Sequence, residues 1–161
     1  MKDFLSRLFG RAEPALAQAH PREAAALAAI HVASFNRGWS AQEFEQLLTD
    51  RNVIADRAAS GRKPVGFIVS RRAADEAEIL SVAVARAWRG RGLSRKLLDL
   101  HLRRLAGLGL RAVFLEVDED NVPARKHYAR AGISQVGRRP GYYAQGRGKA
   151  SAALVLRRDL V

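Results

Sequence analysis

The stretch from Val82 to Leu98 constrains this chain more than any other. Val82-Ala83-Val84-Ala85 closes an apolar run, Arg86-Ala87-Trp88-Arg89-Gly90-Arg91-Gly92 forms a glycine-containing turn, and Leu93-Ser94-Arg95-Lys96-Leu97-Leu98 opens a helical pattern. A strand that turns into a helix in this way is the first half of a β-α-β unit. It points to a mixed α/β domain rather than an all-helical bundle or an all-strand sandwich.

Glycines in such a turn let the backbone bend sharply, and several N–H groups then point one way. The helix that follows adds partial positive charge at its N-terminus, so a phosphate is favoured there. The turn is not a Walker A loop, because no Gly-Lys-Ser/Thr follows at the required spacing. It is not the dinucleotide fingerprint, because Gly90 and Gly92 lack the third glycine and the acidic residue further on. Alone, Gly-Arg-Gly fits an ordinary basic turn equally well. The surrounding charge favours an anion. Between Arg86 and Arg104 lie Arg86, Arg89, Arg91, Arg95, Lys96, Arg103 and Arg104 against one acid, Asp99. The whole chain carries 28 Lys+Arg against 16 Asp+Glu, a net charge of +12. That charge suits a pyrophosphate and equally suits a nucleic-acid backbone.

The 161 residues fit one domain, and a hydrophobic content of 48% argues against global disorder. There is no cysteine, which excludes disulfides, thiolate metal sites and Cys nucleophiles, and suits a reducing, cytoplasmic setting. His20, His31, His101 and His127 show no metal-site spacing, so no metal is predicted. Met1–Arg11 reads as a short amphipathic extension, with Phe4, Leu5, Leu8 and Phe9 on one helix face. Its charges and lack of a cleavage site argue against a signal peptide, and no stretch is apolar enough for stable membrane insertion.

Along the rest of the chain, Pro21 to about Phe35 reads as a helix, and Ser40-Ala41-Gln42-Glu43 is a capping box opening a second helix to about Thr49. Asn52–Asp56, Val65–Val69 and Ala77–Ala85 read as a strand meander. A helix from about Gly92 to Leu105, a strand Val113–Val117 and a helix from near Asn121 to Gly132 follow. Two strands, about Ser134–Arg138 and Ala152–Arg157, close the chain around a loop carrying Gly141, Gly146 and Gly148.

Several of these segments together resemble the GNAT superfamily of acetyl-CoA-dependent N-acetyltransferases. Arg89-Gly90-Arg91-Gly92-Leu93-Ser94 resembles its acyl-CoA loop, Gln/Arg-x-x-Gly-x-Gly/Ala, with Ser94 departing at the last position. Ile79-Leu80-Ser81-Val82-Ala83-Val84 resembles the strand entering that loop. Leu115-Glu116-Val117, Asn121, His127-Tyr128, Ala131-Gly132-Ile133, Arg138-Arg139-Pro140-Gly141-Tyr142-Tyr143 and, upstream, Gly38-Trp39-Ser40 are similar to the RimI-type subgroup, which acetylates the N-terminal amine of a ribosomal protein. The likeness covers roughly Pro21 to Leu160 and is strongest from Ile79 to Tyr143. It implies a GNAT fold, α/β in class, with a mixed, mostly antiparallel sheet flanked by about four helices, in a domain spanning residues 12–161. It also implies acetyl-CoA as cosubstrate, with Val82, Val84, Arg89, Gly90, Arg91, Gly92, Leu93, Ser94, Arg95 and Asn121 around it.

Acetyl transfer needs a neutral amine, a thioester and a proton for the leaving thiolate. An N-terminal amine, with a pKa of about 7.7–8.0, asks less of a base than a Lys amine near 10.4. Alternation puts Val113, Leu115 and Val117 on one strand face, and Phe114 and Glu116 on the other. Glu116 is then either a solvated or Arg-paired carboxylate or a general base; the resemblance implies the base, with water as a relay. Tyr128 either packs its ring and bonds through its tip or serves as general acid; the resemblance implies the acid. Asn121 is a helix cap, to which the resemblance adds a bond to the pantetheine arm. Trp39, Tyr142 and Tyr143 either pack or line the acceptor groove. The basic run of Arg138, Arg139, Arg147 and Lys149 has no acid within it from Ser134 to Leu156. It is a solvated face, or it meets an acidic peptide or ribosomal RNA.

Three functions therefore compete. The first is acetylation of a protein N-terminus, the second acetylation of a small amine or a lysine, and the third non-catalytic RNA binding. The absence of a nucleic-acid motif and of exposed aromatic stacking patterns weighs against the third.

Overall fold

The computed structural model describes residues 12–144 and 150–161. The Met1–Arg11 extension, Arg147 and Lys149 lie outside the described residues, and so do the side chains of Tyr143 and Ala144. In chain order the elements are β1 (Ala15–Gln18), α1 (Ala24–Ser34), α2 (Ala41–Thr49), β2 (Val53–Ser60), β3 (Lys63–Ala73), β4 (Glu76–Val84), α3 (Leu93–Gly107), β5 (Ala112–Asp118), α4 (Val122–Arg130), β6 (Ser134–Ala144) and β7 (Ala150–Asp159). They form a seven-stranded sheet in the order β1-β2-β3-β4-β5-β7-β6. Only β4 and β5 run parallel, joined through α3; each other neighbouring pair is antiparallel. The expected mixed, mostly antiparallel sheet with four α-helices is therefore present among the described residues.

Local chemistry sets the helix ends. Ser40 Oγ accepts from Glu43 N at 3.1 Å while Glu43 Oε2 accepts from Ser40 N at 2.6 Å, the expected capping box. A second box, His20 with Glu23, precedes α1, with Pro21 at the first helical position. Asn121 Oδ1 caps α4 by accepting from Ala124 N at 3.3 Å. Gly38 is needed for space. A Cβ there would lie 2.8 Å from Val32, so the chain leaving α1 can fold back over it only with no side chain.

Helices cover both faces of the sheet. Along β3, Ile68 turns to the core of Leu97, Leu98, Leu102 and Leu105 from α3, while Phe67 and Val69 turn to Leu27, Ile30 and Phe44 from α1 and α2. Each such fully buried side chain contributes about 1.5–3 kcal/mol.

Two features of the sheet make the site. Between β3 and β4 the register slips, with Val69 opposite Ser81 but Ser70 opposite Ile79, so Leu80 is the extra residue of a bulge. A bulge bends its strand and strengthens its twist. Beyond it β4 and β5 separate: their paired residues are Glu76–Ala112, Ala77–Val113 and Glu78–Phe114. At the bulge a buried network joins α3 to the strands. Ser70 Oγ lies 2.6 Å from His101 Nε2, His101 Nδ1 lies 2.7 Å from Asp56 Oδ2, and Arg104 Nη2 lies 2.7 Å from Asp56 Oδ1. Ser70, His101 and Asp56 are wholly shielded from solvent, so this Ser-His-Asp series is a structural clamp and no substrate reaches it.

Several sequence expectations need correction. No sequence pattern announces β1. Its Ala-Leu-Ala-Gln carries little strand propensity and is held by pairing with Ala59–Asp56 of β2. β2 runs to Ser60 and β3 from Lys63 to Ala73, well past their apolar centres. Gly141 lies inside β6 rather than in a loop, because two register slips, between Gln135 and Gly137 and between Arg139 and Tyr143, absorb the extra residues.

Candidate active site

Where β4 and β5 part, a cleft of about 770 Å³ opens. Ile79 to Val84 form one wall, Leu115 to Asp118 the other, and Arg89, Gly90, Gly92, Leu93, Ser94 and Arg95 one end. Asn121, Ala124, His127 and Tyr128 line it from α4 and its cap. The structure thus brings Glu116, Tyr128, Asn121, Val82, Val84 and most of the glycine turn to one cavity.

The wall formed by β4 offers main-chain groups. Ala85 N donates to Val65 O at 2.8 Å, and antiparallel alternation then turns the N–H and C=O of Val82 and Val84 toward the side that β5 has left. The Val84 carbonyl already accepts from Arg89 Nε at 2.9 Å.

The turn offers amides. Gly90 and Gly92 have φ of +76° and +75°, and a Cβ at either would meet nothing within 4 Å. Backbone conformation, not crowding, requires these glycines. Gly92 is the N-cap of α3 and supplies no side chain to its N–H groups. The helical ladder begins with Lys96 N donating to Gly92 O, so the N–H groups of Leu93, Ser94 and Arg95 precede it at the cleft. This is a cradle for an anion.

The basic side chains here are more committed than the sequence suggested. Arg89 also reaches Ser34 Oγ at 3.2 Å and so ties the turn to α1. Arg91 stands 5.0 Å above the Trp88 ring and does not line the cleft. Arg95 pairs with Asp99, and Lys96 with Glu13. The amides at the start of α3 have no such partner within the helix.

Tyr128 is buried on the opposite wall, and desolvation pushes its phenol up to about 12, so it holds its proton at neutral pH. Beside it, His127 Nε2 lies 3.0 Å from Ser94 Oγ, tying α4 to the first turn of α3; burial pushes its pKa down. In the sequence, His127 has a place in the family likeness but no role in the site, although its position next to Tyr128 is the available signal. Glu116 lines the cleft and also pairs with Arg139 Nη1 at 3.0 Å, the arginine pairing that the sequence allowed.

The candidate acceptor residues are not gathered in this cleft. Trp39 stacks on His31, 4.4 Å between ring centroids, and lines a separate hollow with Glu43, Leu47 and Leu80. Leu80, the bulge residue, borders both cavities. Tyr142 is exposed, and the backbone of Tyr143 pairs opposite Ser151. Of the basic run, Arg138 and Arg139 are described, and each meets an acid. Arg138 grips both oxygens of Glu119 at 3.1 and 3.2 Å, which with a bond from Ala152 N holds that carboxyl below its usual range.

The profile of the acetyltransferase (GNAT) family matches residues 24–133, well over half of the chain. Ribosomal protein bS18-alanine N-acetyltransferase of Haemophilus ducreyi is 29% identical over 92 residues, 57% of this chain and 63% of that protein. Mycothiol acetyltransferase of Streptomyces bingchenggensis is 40% identical over 79 residues, 48% of this chain and 26% of that protein. The match thus spans less than two thirds of either relative. Among solved structures, the ribosomal-protein-S18-alanine N-acetyltransferase of Escherichia coli superposes with a TM-score of 0.83 at 21% identity, covering 91% of this chain and 93% of that one. That likeness is one of fold.

Proposed function

The chain belongs to the acetyltransferase (GNAT) family, and from that premise we propose that it moves an acetyl group from acetyl-CoA to the N-terminal α-amine of a protein, such as a ribosomal protein. One observation carries the reading. A single cleft combines an open strand edge, an amide cradle, a carboxylate and a protonated phenol.

The amides at the start of α3 receive the pyrophosphate of acetyl-CoA, in the field of the basic turn. The edge of β4 at Val82 and Val84 offers hydrogen bonds to the amide-bearing arm. The Val84 N–H serves here, since its carbonyl holds Arg89. Asn121 uses Oδ1 to cap α4 and turns its amide N–H to the same arm. The acceptor nitrogen attacks the thioester carbon, and the C–S bond breaks. Glu116 takes the amine proton, directly or through water. The Tyr128 O–H faces the departing sulfur and supplies the proton it needs. Burial keeps the phenol protonated and also weakens it as an acid, so the transfer relies on the same desolvation raising the basicity of the thiolate. An α-amine is partly neutral at pH 7 and needs only a weak base, which favours it over a lysine amine.

The mycothiol acetyltransferase relative favours a second reading, a small-molecule amine. A panel separates the two. Acetyl-CoA is incubated with peptides starting in a small residue, with lysine peptides and with small amines, and mass spectrometry locates the product. Acetylation at the peptide α-amine is expected. Turnover of small amines alone would overturn the protein-acceptor reading.

A further inference from the structure

Arg139 makes a contact that the proposed chemistry does not explain. Its Nη1 lies 3.0 Å from Oε1 of Glu116, the carboxylate proposed to take the acceptor's proton. Arg139 stands on β6 where the register slips: it faces Ala153, while Tyr143 faces Ser151. The residues between include Gly141 at φ +67°. Bulges of this kind re-aim side chains. The preceding arginine is held differently. Arg138 grips both oxygens of Glu119, which is also bonded to the main chain at Ala152. Arg139 is 59% exposed, meets Glu116 through one oxygen, and stands 5.8 Å from the Tyr142 ring. It is the looser of the two.

A guanidinium on Glu116 opposes the arrival of an amine that must lose a proton to the same carboxylate, because both bring positive charge. An acceptor carrying its own carboxylate beside the amine removes the conflict. The guanidinium then exchanges one carboxylate for another, with the forked geometry it matches best, and Glu116 turns to the amine. We propose that Arg139 is a specificity-determining residue that selects protein N-termini with an acidic residue immediately after the acceptor residue. The inference rests on the N-terminal acetyltransfer reading above. The net charge of +12 favours the encounter with an acidic terminus.

The test uses three peptides that differ only in the second residue, Asp, Asn or Lys, with free alanine as a source of an α-carboxylate instead. Wild type, R139A, R139K, R139E and R138A are compared by thiol release and by mass spectrometry at the α-amine. Wild type is expected to favour Asp over Asn by roughly fivefold in kcat/KM, the scale of an accessible ion pair. R139A should abolish the preference, R139K keep part of it, R139E turn it toward Lys, and R138A retain it. Equal turnover of the Asp and Asn peptides by wild type would overturn the inference. So would a preference that survives R139A, one lost equally in R138A, which would mark a diffuse field, or free alanine outrunning the Asp peptide. No turnover of any peptide would instead sink the acetyltransfer reading, and the inference with it.

Discussion

Tyr128 and Glu116 face one cavity from different elements, and their substitutions separate chemistry from packing. Tyr128→Phe keeps the ring in its buried place, so the fold should persist while kcat falls roughly a hundredfold or more, the usual scale of general acid–base catalysis. Stopped-flow detection of released thiol checks this, and full turnover in the variant would remove Tyr128 from the mechanism. Two other side chains carry a pH prediction. Burial lowers the pKa of His31 and of His127, and His31 Nδ1 accepts from Trp39 N at 3.0 Å, so it is unprotonated in the fold. The unfolded chain therefore binds protons first as pH falls. Stability is full above the ordinary imidazole value near 6.5 and declines below it. Thermal midpoints between about pH 7.5 and about pH 5.5 should show that decline. His31→Asn, whose amide oxygen can take the same N–H, should lessen it, with His127 supplying the remainder. At this scale the sequence marks Glu116 and Tyr128, because motif order singles them out. It hides Arg139 beside Glu116, because that pairing depends on a bulged register no local pattern announces.

At the scale of elements, the fork between β4 and β5 makes the site, and the bulge at Leu80 with the clamp on α3 makes the fork. Asp56→Ala strands a buried His101 and releases Arg104, so a loss of about 3–5 kcal/mol is expected in urea denaturation. The glycine turn behaves differently. Gly92→Ala meets no steric obstacle but forces a left-handed conformation on a Cβ, at roughly 1–2 kcal/mol. It should weaken acetyl-CoA binding more than it lowers the melting temperature. The strand-turn-helix segment with α3, the shorter helix α4 and the capping box of α2 are readable from residue order, because each is fixed by local contacts. β1, the outer halves of β2 and β3, and the continuation of β6 through Gly141 are not. Their residues have weak propensities, and neighbouring strands hold them in place.

For the molecule as a whole, the net charge first suggests a polyanion, yet many of the basic groups around the turn are occupied within the fold. Arg89, Arg95, Lys96, Arg104, Arg138 and Arg139 each have a partner in the chain. In the proposed account the excess charge guides anions toward the turn, and the main-chain amides there hold the pyrophosphate. No helix among the described residues is long and apolar enough to cross a membrane. The central claim is that the cleft between β4 and β5 holds acetyl-CoA, and calorimetric titration tests it most directly. Wild type is compared with Ala124→Trp, which places an indole at the cleft wall from a half-buried position. One molecule should bind per chain in wild type, and binding should be lost in the variant while its circular dichroism is unchanged. Absence of binding in wild type, or equal affinity in the two proteins, would contradict the account.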